Sequence, residues 1–245
     1  MRTGQRMGCL KAAVGSGSGG HPPRTLGVIM LETRFPRLVG DIGNPDSFAW
    51  PVRYCVVKGA SPTRVIQGRA RGLVAPFIRA ARELAAQGCV AITTSCGFLA
   101  LHQRELAAAV DIPLATSSLC QVASVAAGLA PGRRVGVLTI EADALTAGHL
   151  RAAGADPSTP MVGVASGGEF ARAILGDQPT LDPALLCREV LEAGQCLLAR
   201  HPEVGAIVLE CTNMPPYAEA LRTATGLPVY DVLTLTARLM AQNSG

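Results

Sequence analysis

Apolar positions along the chain fall into short runs alternating with helix-spaced segments. Leu26–Leu31 is an apolar run of strand length and Val52–Val57 a second strand, separated by a Gly/Pro/Asn-rich loop ending at Pro51. Leu73–Ala86 has helical spacing, Cys89–Ser95 is a strand, Phe98–Val110 a helix, Ile112–Ala115 a short strand and Leu119–Gly128 a helix. A second series opens at Val135–Ile140 and continues as helix 142–153, strand 161–165, helix 183–200, strand 204–210, helix 216–225, strand 227–230 and helix 232–241. Apolar runs without polar alternation belong to strands covered on both faces. Their alternation with helices predicts parallel sheets in an α/β fold.

The second series repeats the first. A shift of 115 lays Ala91 on Ala206, Ile92 on Ile207, Cys96 on Cys211, Leu106 on Leu221, Ala109 on Ala224 and Pro113 on Pro228 without a gap. The opening strands match as well: Leu26-Gly27-Val28-Ile29-Met30-Leu31-Glu32 resembles Val135-Gly136-Val137-Leu138-Thr139-Ile140-Glu141. A duplicated α/β unit is the best account of this repeat. Ahead of it, residues 1–24 are expected to form a flexible tail. Within the tail, Gly15, Gly17 and Gly20 match a dinucleotide fingerprint, but Pro22-Pro23 blocks the helix that such a motif requires.

The repeat gives its two cysteines a special place. Cys96, in Thr94-Ser95-Cys96-Gly97-Phe98, and Cys211, in Glu210-Cys211-Thr212-Asn213, both sit where a strand ends and a helix-forming run begins. Ligands of open parallel sheets bind at such carboxyl ends. Two thiols at matched ends can face each other across a cleft, one removing a proton from a carbon and the other returning it. Helix N-termini there are expected to attract a carboxylate and to lower the thiol pKa.

The residues around the thiols carry a resemblance. The Thr-Thr-Ser-Cys-Gly stretch ending at Gly97 and the Glu-Cys-Thr-Asn stretch ending at Asn213 resemble the cofactor-independent aspartate/glutamate racemase superfamily, over about residues 25–243. That superfamily includes hydantoin racemases, maleate isomerases and arylmalonate decarboxylases. The resemblance implies two pseudo-symmetric Rossmann-like lobes with the site in the cleft between them and one catalytic thiol from each. It also implies a C-terminal segment returning to the first lobe, so that the first lobe is expected over 25–115 plus 217–245 and the second over 116–216. The chain departs from the glutamate racemase pattern: Gly97-Phe98 follows the first thiol, and Asn213 stands where a His is usual.

The function expected from the sequence is therefore racemisation or epimerisation of an amino acid or related carbon acid by Cys96 and Cys211. A maleate-type cis–trans isomerase and an arylmalonate-type decarboxylase are alternatives on the same scaffold. A non-catalytic ligand-binding protein or redox sensor is the alternative from another class. Thr94, Ser95, Gly97, Thr116, Ser117, Thr212 and Asn213 are candidates to hold the substrate carboxylate. Thr33 and Asn44 are read either as further contacts or as turn residues, and Arg34 or Arg37 either as anchors for a second carboxylate or as surface arginines. Glu141 either orients a group in the site or faces solvent, and Gly167-Gly168 is a possible anion site.

Composition narrows the rest. Among 22 basic residues only Lys11 and Lys58 are lysines, so a pyridoxal Schiff base has one candidate in the folded body and no phosphate cup beside it. His21, His102, His149 and His201 show no ligand spacing, and no metal or other cofactor is expected. A formal charge of +4 without a basic cluster, and 4% aromatic content, argue against nucleic acid. Eight cysteines lying mostly in apolar runs, with no leader and no long apolar span, lead to the expectation of a reduced, cytoplasmic protein off the membrane, acting on a small carboxylate as a homodimer or higher homo-oligomer.

Overall fold

The computed structural model describes residues 9–10 and 24–242. The first sheet contains β1 (Cys9–Leu10), β2 (Thr25–Leu31), β3 (Val52–Val57), β4 (Cys89–Thr94) and β5 (Leu114–Ala115), in the order β1-β3-β2-β4-β5. The second contains β6 (Arg134–Thr139), β7 (Met161–Gly163), β8 (Val204–Leu209) and β9 (Val229–Tyr230), in the order β7-β6-β8-β9. All pairings are parallel except that of β1 with β3, which is antiparallel. Leaving β1 aside, the two sheets share one strand order. They also share an irregularity: the register slips between Thr25 and Leu26 against β4, and between Arg134 and Val135 against β8. Ala91 and Ala206, which are 115 apart, take up the pairing after each slip. The repeat is therefore structural, and the two-lobed α/β architecture is as the sequence predicts.

Period-two alternation buries the first sheet on both faces. Leu26, Val28 and Met30 pack with Val232, Leu235 and Leu239 of α8 (Val232–Ala241), while Ile29 and Leu31 join the core formed with Phe77, Ala80 and Leu84 of α2 (Val74–Ala86). That latter core is continuous through both lobes, from Ile29 to Val229. In the second lobe α6 (Pro183–Arg200) packs on β6 and β7, and α4 (Val122–Ala127) on β6.

Several boundaries differ from the sequence expectation. β9 pairs with β8 and α7 (Ala218–Thr225) packs on α6, so both belong to the second lobe and only α8 crosses back to the first sheet. Segment 217–245 is thus divided rather than wholly first-lobe. Cys9–Leu10 forms an edge strand within the segment expected to be a flexible tail, and the glycine fingerprint lies outside the described residues. The helix expected over Phe98–Val110 is a 3-10 segment, Gly97–His102, running into α3 (Gln103–Ala107), and that over Leu119–Gly128 likewise opens as 3-10 at Ser118–Gln121. A short helix α1 (Pro62–Ile66) and a π-helix over Phe170–Leu175 complete the cleft walls. Helix 142–153 shortens to α5 (Ala147–Ala152), opened by a capping box between Thr146 and His149.

Candidate active site

Both thiols lie at carboxyl ends of central strands, Cys96 two residues beyond β4 and Cys211 two residues beyond β8. They line one cleft between the lobes, enclosing about 360 Å³ out to its mouth. The first lobe supplies Leu31 from the end of β2, Thr33, Phe35 and Arg37 from the loop that follows, Pro62 and Ile66 from α1, and Ser95–Phe98. The second supplies Ile140, Ile174 and Glu210–Asn213. Most of this wall is apolar, which strengthens every electrostatic interaction made inside it.

The lobes are stitched together at the thiols. Thr212 Oγ1 donates to the Ser95 carbonyl at 2.8 Å, and the Ile42 amide reaches the Thr212 carbonyl at 3.4 Å. Within the lobes, Ser95 Oγ accepts from the Leu31 amide at 2.9 Å, and Ser118 Oγ donates to the Leu209 carbonyl. At the mouth, Asn213 Nδ2 donates to Asp41 Oδ2 at 2.6 Å, and Asp41 Oδ1 accepts from Arg37 Nη1 at 3.0 Å. Arg37 Nη2 also donates to Thr33 Oγ1 at 2.7 Å, and the guanidinium lies 4.2 Å from the Phe35 ring centroid. These bonds use two of the five N–H donors of Arg37 and fix its position.

The expected lowering of the thiol pKa is not found. Burial is the largest influence on both thiols, followed by the charge of Glu210; together they push Cys96 up to about 12 and Cys211 well above its ordinary value. The local winding does supply hydrogen bonds, from the Phe98 amide to Cys96 and the Asn213 amide to Cys211, but they do not offset desolvation. The two sites are unequal. Arg37 favours the Cys96 thiolate, whereas Cys211 also feels Cys96 and Asp41, which oppose its ionisation.

The candidate substrate contacts separate into two groups. Thr33, Ser95, Gly97, Thr212 and Asn213 line the cleft. Thr94, Thr116, Ser117 and Asn44 do not. Thr94 Oγ1 donates to the Thr116 carbonyl at 2.6 Å, Thr116 is held by Gln103 Oε1, Ser117 caps the 3-10 turn after β5, and Asn44 caps the turn at Pro45–Ser47. Their short polar side chains satisfy the backbone where strands turn into helices. Arg34 pairs with Asp177 at 3.2 Å on the exposed rim, joining the loop after β2 to the end of the π-helix. Gly167-Gly168 is closed to an outside anion, because Glu189 already accepts the amides of Glu169 and Phe170. Glu141 is half-buried with its amide on Thr139 Oγ1 at 3.5 Å, and it does not line the cleft.

Sequence reasoning did not single out Glu210, Phe35, Phe98, Ile140 or Ile174. Phe98 is buried and wedged edge-on against His149, with ring centroids 5.5 Å apart. Glu210 is fully buried; its Oε2 accepts from Thr139 Oγ1 at 2.7 Å. Its position directly before the thiol, in an otherwise apolar strand end, was the available signal. Among the described residues no group of three or more His, Cys, Asp or Glu is arranged to hold a metal, and no helix is long and apolar enough to cross a membrane.

No family model matches the chain. It is 30% identical over 217 residues to a dimethylsulfoniopropionate lyase of Durusdinium sp. clade D, covering 85% of this chain and 71% of that one. It is 31% identical over 221 residues to dimethylsulfoniopropionate lyase 7 of Emiliania huxleyi (strain CCMP1516), covering 86% of this chain and 64% of the relative. In fold it is similar to a variant of arylmalonate decarboxylase in a sulfate-associated form, with a TM-score of 0.61 and 17% identity over 90% of this chain and 94% of that one. It is also similar to the Picrophilus torridus aspartate racemase, with a TM-score of 0.51 and 17% identity over 89% and 94%. The chain belongs to the family of the dimethylsulfoniopropionate lyases, and its two-lobed fold is like those of arylmalonate decarboxylase and aspartate racemase.

Proposed function

We propose that this protein is a carbon–sulfur lyase that removes the proton next to the carboxylate of dimethylsulfoniopropionate and expels dimethyl sulfide. The observation that carries the proposal is that Cys96 and Arg37 line the same cleft. Among the described residues Arg37 is the one arginine in that lining, and its charge favours ionisation of Cys96 against the larger effects of burial and Glu210. A base that removes the α-proton has to sit near the anchored carboxylate, and Arg37 is the group suited to anchor it.

In the proposed reaction the Cys96 thiolate takes the α-proton. The electron pair of that C–H bond becomes the new carbon–carbon double bond, the C–S bond breaks, and its pair returns to sulfur. The sulfonium leaves as neutral dimethyl sulfide, and acrylate remains. The positive sulfur makes dimethyl sulfide a good neutral leaving group, and a cation in the cleft offsets the cost of a buried thiolate. Thr212 and Asn213 hold the lobes closed around the reacting carbon, and Cys211 faces the same space from the second lobe. Elimination requires only one base.

A second reading is racemisation of an amino acid, favoured by the presence of a second buried thiol at the equivalent strand end. It shares the first step and differs in the fate of the carbanion, which Cys211 would protonate from the opposite face. Proton NMR in D₂O separates the two. The lyase produces vinyl signals of acrylate from dimethylsulfoniopropionate, with no deuterium entering the α-position of aspartate, glutamate or a 5-substituted hydantoin. Deuterium exchange of those compounds, without acrylate, favours the racemase.

A further inference from the structure

The two lobes treat the residue before each thiol differently. The shift of 115 lays Ser95 on Glu210. Their amides make the same bond, Ser95 to the Ile29 carbonyl at 2.9 Å and Glu210 to the Leu138 carbonyl at 2.8 Å. Where the first lobe carries a hydroxyl that accepts a backbone amide, the second carries a carboxyl with no exposed surface. Thr139 satisfies one carboxyl oxygen, and the other, Oε1, is buried without a partner. No arginine, lysine or histidine pairs with it among the described residues.

A buried carboxylate in this condition is costly until a proton or a cation joins it. Burial raises Glu210 to about 7, so near neutral pH the proton is readily given up to a competing cation. Glu210 is also one of the residues that line the cleft, together with both thiols. Cys96 and Cys211 are the other titratable groups on this floor, and Asp41 and Arg37 pair with each other at the mouth.

We propose that Glu210 is the specificity-determining residue for a cationic substituent on the substrate, taking an onium group β to the carboxylate that Arg37 anchors. The proposal extends the lyase reading, which supplies a sulfonium as the cation, but its test does not depend on turnover. The site then reads a zwitterion end to end, with Arg37 for the anion and Glu210 for the cation. Arrival of the cation does a second thing: it offsets the charge of Glu210, the second-largest influence holding each thiol protonated. Recognition and formation of the base are thereby coupled.

The probes are β-trimethylammoniopropionate and its carbon isostere, in which tert-butyl replaces trimethylammonium; they share a shape and differ by one charge. Titration calorimetry at pH 7.5 should show wild-type protein binding the ammonium compound at least about tenfold more tightly, since a single close charge pair is worth that much in a partly buried site. Glu210→Gln, isosteric and able to accept from Thr139, should bring the two affinities within about threefold. At pH 6, ammonium binding should release a proton, read from the buffer dependence of the heat, and Glu210→Gln should release none. Thr139→Val, which removes the bond favouring the ionised form, should reduce the preference at pH 7.5 and recover it at higher pH. Equal affinities in the wild type, binding of neither probe, or a preference that Glu210→Gln leaves intact overturns the proposal. A protein that keeps the preference but makes no dimethyl sulfide loses the lyase reading alone. One whose Glu210→Gln variant makes dimethyl sulfide with unchanged KM loses this inference alone.

Discussion

The hydroxyl of Thr212 donates to the carbonyl of Ser95 across 2.8 Å, tying the residue after one thiol to the residue before the other. Each residue belongs to a different lobe, and both are buried. The bond therefore sets how the two strand ends face each other. Thr212→Val keeps the shape and removes the donor, leaving a buried carbonyl short of a partner, at a cost of about 1 to 3 kcal/mol. Thermal unfolding should show that loss, and Thr212→Ser should restore most of it, because the hydroxyl survives.

Gly97 is required by the same convergence. A Cβ placed on it would come within 2.3 Å of Glu210 Oε1 and 2.4 Å of the Glu210 carbonyl oxygen. The carbonyl belongs to the backbone and cannot swing away. Gly97→Ala should lower stability by roughly 1 to 3 kcal/mol and cut turnover at least about tenfold by spreading the strand ends. Wild-type melting temperature and wild-type turnover in this variant would show that the lobes do not meet as described.

Glu210 gives stability a pH dependence with a definite sign. Its carboxyl is raised in the folded protein from 4.5 to about 7, so folding favours the protonated form. The associated stability is complete below pH 4.5 and is lost as pH rises through 7. Without ligand, Glu210→Gln should match or fall below the wild type near pH 4.5 and exceed it at pH 8, by on the order of 3 kcal/mol at most. Denaturant titrations at the two pH values measure the crossover.

Burial keeps the thiols protonated in the ligand-free protein. With Cys96 raised to about 12, the thiolate fraction at pH 7.5 is roughly a thousandfold below that of a free cysteine. Alkylation of Cys96 by iodoacetamide in the ligand-free protein should be correspondingly slow and accelerate about tenfold per pH unit through pH 10. Peptide mass analysis over time reads the rate at Cys96 separately from the half-buried Cys120, Cys187 and Cys196.

The scaffold was legible in the sequence because burial on both faces writes itself as unbroken apolar runs, and duplication places the runs in the same order twice. Cys96 and Cys211 could be found because each ends such a run. The mouth of the cleft could not, since Asp41 and Asn213 are 172 residues apart in the chain and their bond depends on where the loop after β2 settles. The winding of the helix openings was hidden as well. It is set by how Leu99 closes on the Cys96 carbonyl at 3.1 Å and how Cys120 closes on the Ser117 carbonyl at 3.0 Å, not by residue pattern. Glu210 read as one more polar residue near a strand end; only the packing of Gly97 and Thr139 around it shows that it is enclosed. The direction of the thiol shifts was misread for the same reason, because helix-end amides were visible in the pattern while the depth of burial was not.

The most direct test is the headspace above purified protein incubated with dimethylsulfoniopropionate, assayed for dimethyl sulfide by gas chromatography. Wild-type protein should release dimethyl sulfide and acrylate in equal amounts, Cys96→Ser should lose at least about a hundredfold in rate while retaining the fold, and Arg37→Gln should lose most of its effect through KM. Wild-type protein that releases no dimethyl sulfide, or a Cys96→Ser variant that releases it at the wild-type rate, would contradict the assignment.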